Sequence, residues 1–232
     1  MKKFSQKIFE QIRHVVFGVE DGLISTLGVM TGIASGSNNK AIVILSSFIV
    51  VFVEALSMSA GTYLSSKSER QAQEKLIKEE LEQIRKNPEK EREELTKFYR
   101  KRGYHESEIE KMVGHVMKDE KLLLEEMAHK ELNIVLKKYE NPVKSSIYML
   151  ASYVIGGIVV VIPYFILPVR WGIVLSVIFA CIALYLLGYY KGHLTKITKS
   201  KSGFEMMVIA LSVAIIGYIL GKIIGHIIGL LE

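Results

Sequence analysis

Three acidic residues, Glu20, Asp21 and Glu54, stand inside apolar stretches of the chain, and Met58 follows Glu54 by one helical turn. An ionisable side chain at the centre of a bilayer costs about 2.5–3.5 kcal/mol on insertion scales, so such a residue is a functional candidate by default. A carboxylate beside a thioether offers one hard and one soft donor. That pair suits a borderline divalent transition metal better than Mg²⁺ or Ca²⁺, which favour oxygen ligands. A carboxylate can also take up a proton when a cation leaves. Asp21, Glu54 and Met58 are therefore read as an ion path. In the competing reading, Met58 only packs and the acids reach back toward water. The side chains of Asp21 and Glu54 are short for their depth, which weighs against it. Glu20 lies on a different helix face from Asp21 and ranks lower.

A second set of candidates lies in a charged block. Glu79 and Glu82 are spaced i,i+3, Glu91 and Glu94 repeat that spacing, and Met127 and Glu131 are spaced i,i+4. Three helices each carrying such a pair could converge on a metal with oxygen and sulfur ligands. Spacing alone also fits a solvated, salt-bridged face, because a helix this rich in glutamate produces such pairs by chance.

Positioning these groups requires long helices. A spanning helix needs about 20 mostly apolar residues, and five stretches qualify: roughly 15–36, 41–64, 146–167, 171–190 and 204–231. SNNK joins the first two and PVR joins the third and fourth, as tight hairpins. The second helix runs toward the side from which the first enters. At about 1.5 Å rise per residue, Asp21, Met58 and Glu54 come to similar depths. Gly18, Asp21, Ser25, Gly28 and Gly32 fall near one face of the first span, suited to line a pore against a second copy. Gly217, Gly221, Gly225 and Gly229 form a strict four-residue ladder in the fifth span, a signal of close packing within or between subunits. Lys222 and His226 flank that ladder, and structural pairing is the reading for both.

The net charge of +6 does not point to nucleic acid. Residues 67–141 hold 18 acids and 18 bases, so the block is neutral. The excess lies beside apolar runs, at Lys2, Lys3, Lys7 and Arg13 and at Lys191, Lys196, Lys199 and Lys201. Positive charge of this kind is retained on the cytoplasmic side, which places the N-terminus and the charged block there. Residues 2–13 read as a short interfacial helix with Phe4, Ile8, Phe9 and Ile12 on one stripe. No cleavable leader is evident, and the single cysteine, Cys181, excludes an internal disulfide. Within the block, the second span is expected to continue as one helix to Asn87. Pro88 then starts a helix stopped by Gly103, a middle helix covers 106–117, and Asp119 caps a last helix over about 120–139.

The expected fold is thus an all-α membrane protein. It has five transmembrane helices and a three-helix cytoplasmic metal-binding domain between the second and third. The divisions are 1–66 for the N-terminal helix and first two spans, 67–141 for the cytoplasmic domain, and 142–232 for the last three spans.

Several motifs resemble one family in their order along the chain. They are Asp21-Gly22-Leu23, Ser57-Met58 with Gly61, Tyr63-Leu64-Ser65, Lys67-Ser68-Glu69, PEKEREELTKFYRKRG from Pro88 to Gly103, MAHKEL from Met127, and Ile162-Pro163-Tyr164. The set resembles the vacuolar iron transporter family over nearly the whole chain. The resemblance implies a homodimer that exports Fe²⁺ from the cytosol in exchange for protons. It implies that Asp21 and Met58 line the path. It also implies that Glu79, Glu82, Glu91, Glu94, Met127 and Glu131 bind metal, with Glu80 able to slide into the register of Glu79 and Glu82. Two departures stand out. Glu54 occupies a place where the family often has aspartate, and Thr62 one where it usually has glutamate.

The expected activity is transport of a divalent metal, Fe²⁺ or else Mn²⁺, Co²⁺ or Zn²⁺, out of the cytosol by proton antiport. The metal is substrate, and no organic cofactor, nucleic acid or enzymatic step is expected. The expected location is a cell or vacuolar membrane. The alternative is a membrane-anchored iron-binding or ferroxidase-type protein without transport, since Glu126 and His129 fit one Glu-x-x-His pair of a di-iron site. That architecture needs two such pairs, and the chain has one.

Overall fold

Apolar residues without an interior proline carry the first helix, α1 (Lys2–Ser37), through 36 residues. The computed structural model describes the backbone of residues 2–130, 132, 141–195 and 198–229, with side chains described for these residues apart from 2–11 and 194–195. Nothing interrupts α1 near residue 13, so the stretch read as a separate interfacial helix is its first part. Asn38 then takes a φ of 45°, a left-handed conformation that asparagine tolerates better than most residues. The Asn39 side chain accepts hydrogen bonds from the backbone N–H of Ala41 (2.9 Å) and Ile42 (3.2 Å). It thereby caps α2 (Lys40–Lys86), a single helix of 47 residues.

Asn87 separates α2 from α3 (Pro88–Lys101), whose proline sits in the first turn, where its missing N–H costs nothing. Gly103, at φ 85°, ends that segment. Next comes α4 (Glu106–Val116). The Asp119 carboxylate accepts from the backbone N–H of Lys121 (2.9 Å) and Leu122 (3.3 Å) at the start of α5 (Glu120–Lys130). The rest of the helix expected to reach 139, apart from Leu132, lies outside the described residues. The chain continues with α6 (Pro142–Ile166), α7 (Val169–Thr195) and α8 (Lys199–Ile227). Among the described residues there is no strand.

The chain forms two compact units. One holds residues 1–63 and 143–232, and the other residues 64–142. In the first unit α8 packs against α1 and α7. Its core gathers Leu23, Leu27, Val160, Ala180, Leu184 and Ala210. Three of the four ladder glycines are spent inside the protomer, while Gly229 lies past the end of α8 with no neighbour within 4 Å among the described residues. Gly217, Gly221 and Gly225 lie against the backbone of Gly28, Gly32 and Gly36, and a Cβ on Gly36 would meet the Gly221 carbonyl oxygen at 2.6 Å. Ser35 Oγ completes the seam by donating to the Tyr218 carbonyl at 3.0 Å. A methyl group at Gly221 would overlap both the Gly32 carbonyl oxygen and Ser35 Oγ. Gly221→Ala is therefore expected to cost about 1–3 kcal/mol through overpacking, read as a lower unfolding temperature in detergent. Gly61→Ala, where no neighbour lies within 4 Å, should show no loss. Equal unfolding temperatures for the two variants would refute the close α1–α8 seam.

The second unit has its own core: Ile84 of α2, Leu95 and Tyr99 of α3, Ile109 and Val113 of α4, and Leu123 and Met127 of α5. Among the described residues, five helices are long and apolar enough to cross a membrane: Ile12–Ser37, Lys40–Lys86, Pro142–Ile166, Val169–His193 and Lys199–Ile227.

Candidate functional sites

In the first unit, chemistry concentrates where α1, α2 and α6 meet. Gly22 of α1 lies against the backbone of Tyr153, and Gly156 of α6 lies against the Val19 carbonyl, where a Cβ would come to 2.6 Å. This close approach seats Tyr153, which is fully buried. Its hydroxyl donates to the Glu54 carboxylate, and so does Ser25 Oγ. The Ser25 and Tyr153 hydroxyls also lie 2.9 Å apart. Glu54 is thus held from two neighbouring helices, which fixes one rotamer of an acid in the middle of an apolar span.

The same contacts set the register of the hairpin. With Ser25 opposite Glu54, one turn back along α1 reaches Asp21, and one turn on along α2 reaches Met58. Asp21 and Met58 therefore share a level, next to that of Glu54. All three are half-buried. Asp21 and Glu54 are close enough for their charges to repel each other, and a cation between them would remove that repulsion. Ser25 and Tyr153 are members of this cluster that sequence reasoning did not assign. The sequence puts Ser25 on the same face of α1 as Asp21 but names no partner for it. A tyrosine inside an apolar span carries no signal of its own.

Gly18 and Gly28, expected on a pore-facing stripe, are helix contacts. Gly18 packs on Met149 and Ser152, and Gly28 packs on Val213. An open groove of about 640 Å³ nevertheless runs along α1, between α2 and α8, and Ser25, Gly28, Gly32, Gly217 and Gly221 are among its lining residues.

In the second unit the carboxylates divide by helix phase. Glu80 and Glu91 are buried, 4% and 1% exposed. Each lies one turn from a core residue, Ile84 and Leu95 respectively. Both oxygens of Glu91 and Oε1 of Glu80 have no hydrogen-bond partner. Burial raises the pKa of Glu91 above the usual glutamate value, and the neighbouring Glu80 and Glu94 add to the shift. Glu80 is raised too, first by burial and then by Glu94, with Lys90 opposing. Glu94 is half-buried and pairs with Lys90 at 3.2 Å. Met127 is buried in the same core and borders, with Glu94 and Lys130, a cavity of about 270 Å³.

Glu79 and Glu82 instead point to the exposed side of α2, each 3.6 Å from a lysine, Lys75 and Lys86. Glu131 lies outside the described residues. As they stand, no three acidic, histidine or cysteine side chains among the described residues form a ligating cluster. Three orphaned carboxylate oxygens on Glu80 and Glu91, with Glu94 within electrostatic reach of both, are nonetheless a donor set that fits a divalent cation, because an isolated buried charge is costly until it is paired. Glu126 is already engaged. It pairs with Lys130 and accepts from the Tyr99 hydroxyl at 3.3 Å, while His129 is exposed.

Five candidate spans among the described residues, with acids inside the first two, define an integral membrane protein. Residues 12–222 match the model of the VIT family, and the chain belongs to that family. It is 30% identical over 201 residues to a vacuolar iron transporter 1 from Eucalyptus grandis, covering 86% of this chain and 81% of that protein. It is 29% identical to the protein of that name from Arabidopsis thaliana, over 86% of this chain and 80% of the relative. A third, from Oryza sativa subsp. japonica, is 30% identical over 90% of this chain and 80% of its own length.

Proposed function

We propose that this protein moves a divalent transition metal, Fe²⁺ in the first place, out of the cytosol in exchange for protons. The observation that carries the proposal is the acid pair at mid-span: Glu54 held by Ser25 and Tyr153, with Asp21 within electrostatic reach. Intramembrane acids with fixed partners are the usual equipment of ion and proton pathways. The names of the relatives, vacuolar iron transporters, supply the cargo.

In this mechanism the second unit is a cytoplasmic helical metal-binding domain inserted between the second and third spans. Glu80, Glu91, Glu94 and Met127, with Glu131, collect the cation there and raise its local concentration. The ion then enters between α1 and α2, where Asp21 and Met58 contribute one oxygen and one sulfur. Ser25 and Tyr153 hold the Glu54 carboxylate in place, so the incoming charge meets an acid already oriented. A proton arriving from the far side neutralises Asp21 or Glu54, weakens the hold on the cation and releases it. The groove along α1 is where a second copy would complete the path. Engagement of Glu126 by Lys130 and Tyr99 speaks against the di-iron alternative.

The deciding experiment uses sealed proteoliposomes holding the purified full chain. Fe²⁺ accumulation should rise when the metal-receiving side is made acidic, and the lumen should lose protons as metal enters. Metal binding without accumulation would leave only a membrane-anchored buffer.

A further inference from the structure

Lys222 has no part in the path described above. It lines a cavity of about 980 Å³ in the first unit, at the end where α1 turns into α2 and α6 into α7. Two further cations reach the same cavity from separate elements, Lys40 at the start of α2 and Arg170 at the start of α7. No acidic side chain lines it among the described residues. Lys40 donates one hydrogen bond to the Phe165 carbonyl at 3.0 Å, which leaves two of its three N–H groups for a ligand. Arg170 and Lys222 form no ion pair among the described residues. The first backbone N–H groups of α7 add the positive end of a helix dipole. Three like charges around one cavity repel until an anion joins them.

The walls are not uniformly polar. Ile166 and Val174, 72% and 49% exposed, border the cavity and belong to the apolar outer surface of the helices. A site with cations at its head and an open apolar flank matches an amphiphile more closely than a free ion. We infer that the cavity bounded by Lys40, Arg170 and Lys222 binds a phosphate group, with the phosphodiester of an anionic phospholipid as its source. An arginine fork and two ammonium groups are the usual partners of such a group. The metal reading and this one are independent, because binding is measured here without any transport.

The test uses the purified full chain in detergent, with phosphatidylglycerol, phosphatidylcholine or inorganic phosphate as probe. Lipid retained after washing is counted by native mass spectrometry, and unfolding temperature is recorded with each probe. The wild type should hold phosphatidylglycerol about tenfold better than phosphatidylcholine, and Arg170→Gln with Lys222→Gln should abolish the preference. Val174→Trp, which fills the cavity and keeps every charge, should abolish it as well and decides the matter if the double variant does not fold. Stabilisation by inorganic phosphate, lost in the variants and without a lipid preference, would keep the phosphate site and reassign its source to the free ion. The same lipid preference in the wild type and in Val174→Trp would overturn the proposal, and so would the absence of both effects in the wild type.

Discussion

Asp21→Asn should lower metal flux into proteoliposomes by about 100-fold, while metal binding by the second unit stays as in the wild type. The magnitude follows from removing a charged ligand from the passing cation, a lost charge contact of about 3 kcal/mol, or roughly two decades. Asparagine keeps the size of aspartate and one acceptor oxygen but neither the charge nor the proton site. Packing of α1 should be preserved, because the close contacts of this region belong to Gly18 and Gly22, not to Asp21. Glu54→Gln separates the two roles open to that residue. Glutamine can still accept from Ser25 Oγ and the Tyr153 hydroxyl, so the local geometry survives. If Glu54 carries the proton, the variant transports without responding to a pH gradient. If it binds the cation, flux falls as it does for Asp21→Asn. Full, gradient-driven flux in both variants would remove the acid pair from the mechanism.

Much of this arrangement is legible in the chain because a bilayer-length apolar run leaves few alternatives. The caps at Asn39 and Asp119 and the first-turn proline Pro88 are local chemistry, readable from a few residues each. What the sequence leaves open is phase and partnership. An i,i+3 count along α2 cannot separate Glu79 and Glu82 from Glu80, since all three sit within one turn. The structure separates them by burial. Glu80 shares a face with buried Ile84, and Glu79 and Glu82 meet Lys75 and Lys86 in solvent. The signal was present as a glutamate one turn from a core aliphatic residue, repeated at Glu91 and Leu95. Tyr153 had no such signal. Its role depends on a contact 99 residues away in sequence, made possible by glycines on two helices. The glycine ladder of α8 showed that close packing occurs but not with what, because small residues are equally suited to a neighbour within the chain or across a dimer.

Glu91→Gln should stabilise the metal-free second unit at neutral pH and at the same time remove most of its metal affinity. Both carboxylate oxygens of Glu91 are buried without partners, and Glu80 and Glu94 repel its charge. Its folded-state pKa is therefore raised above that of the unfolded chain. For a group shifted in this direction, the favourable contribution is complete below the unfolded value of 4.5 and is lost as pH rises through the raised folded value. Glu80 shifts in the same sense. Metal-free wild type should thus lose protection of the α3 amides against hydrogen exchange as pH climbs from the ordinary carboxylate range toward neutrality. Added Fe²⁺ or Mn²⁺ should restore it by supplying the missing counter-charge. The neutral amide removes that penalty, a gain on the order of 1–3 kcal/mol at pH 7, and flattens the pH dependence. It also removes an anionic ligand, so affinity in a metal titration should fall by about two decades. A buried side chain kept for packing alone would behave in the opposite way, with the substitution neutral or destabilising and the metal response unchanged. Stability and affinity moving in opposite directions is the signature of a site whose buried charge is tolerated for the sake of its ligand.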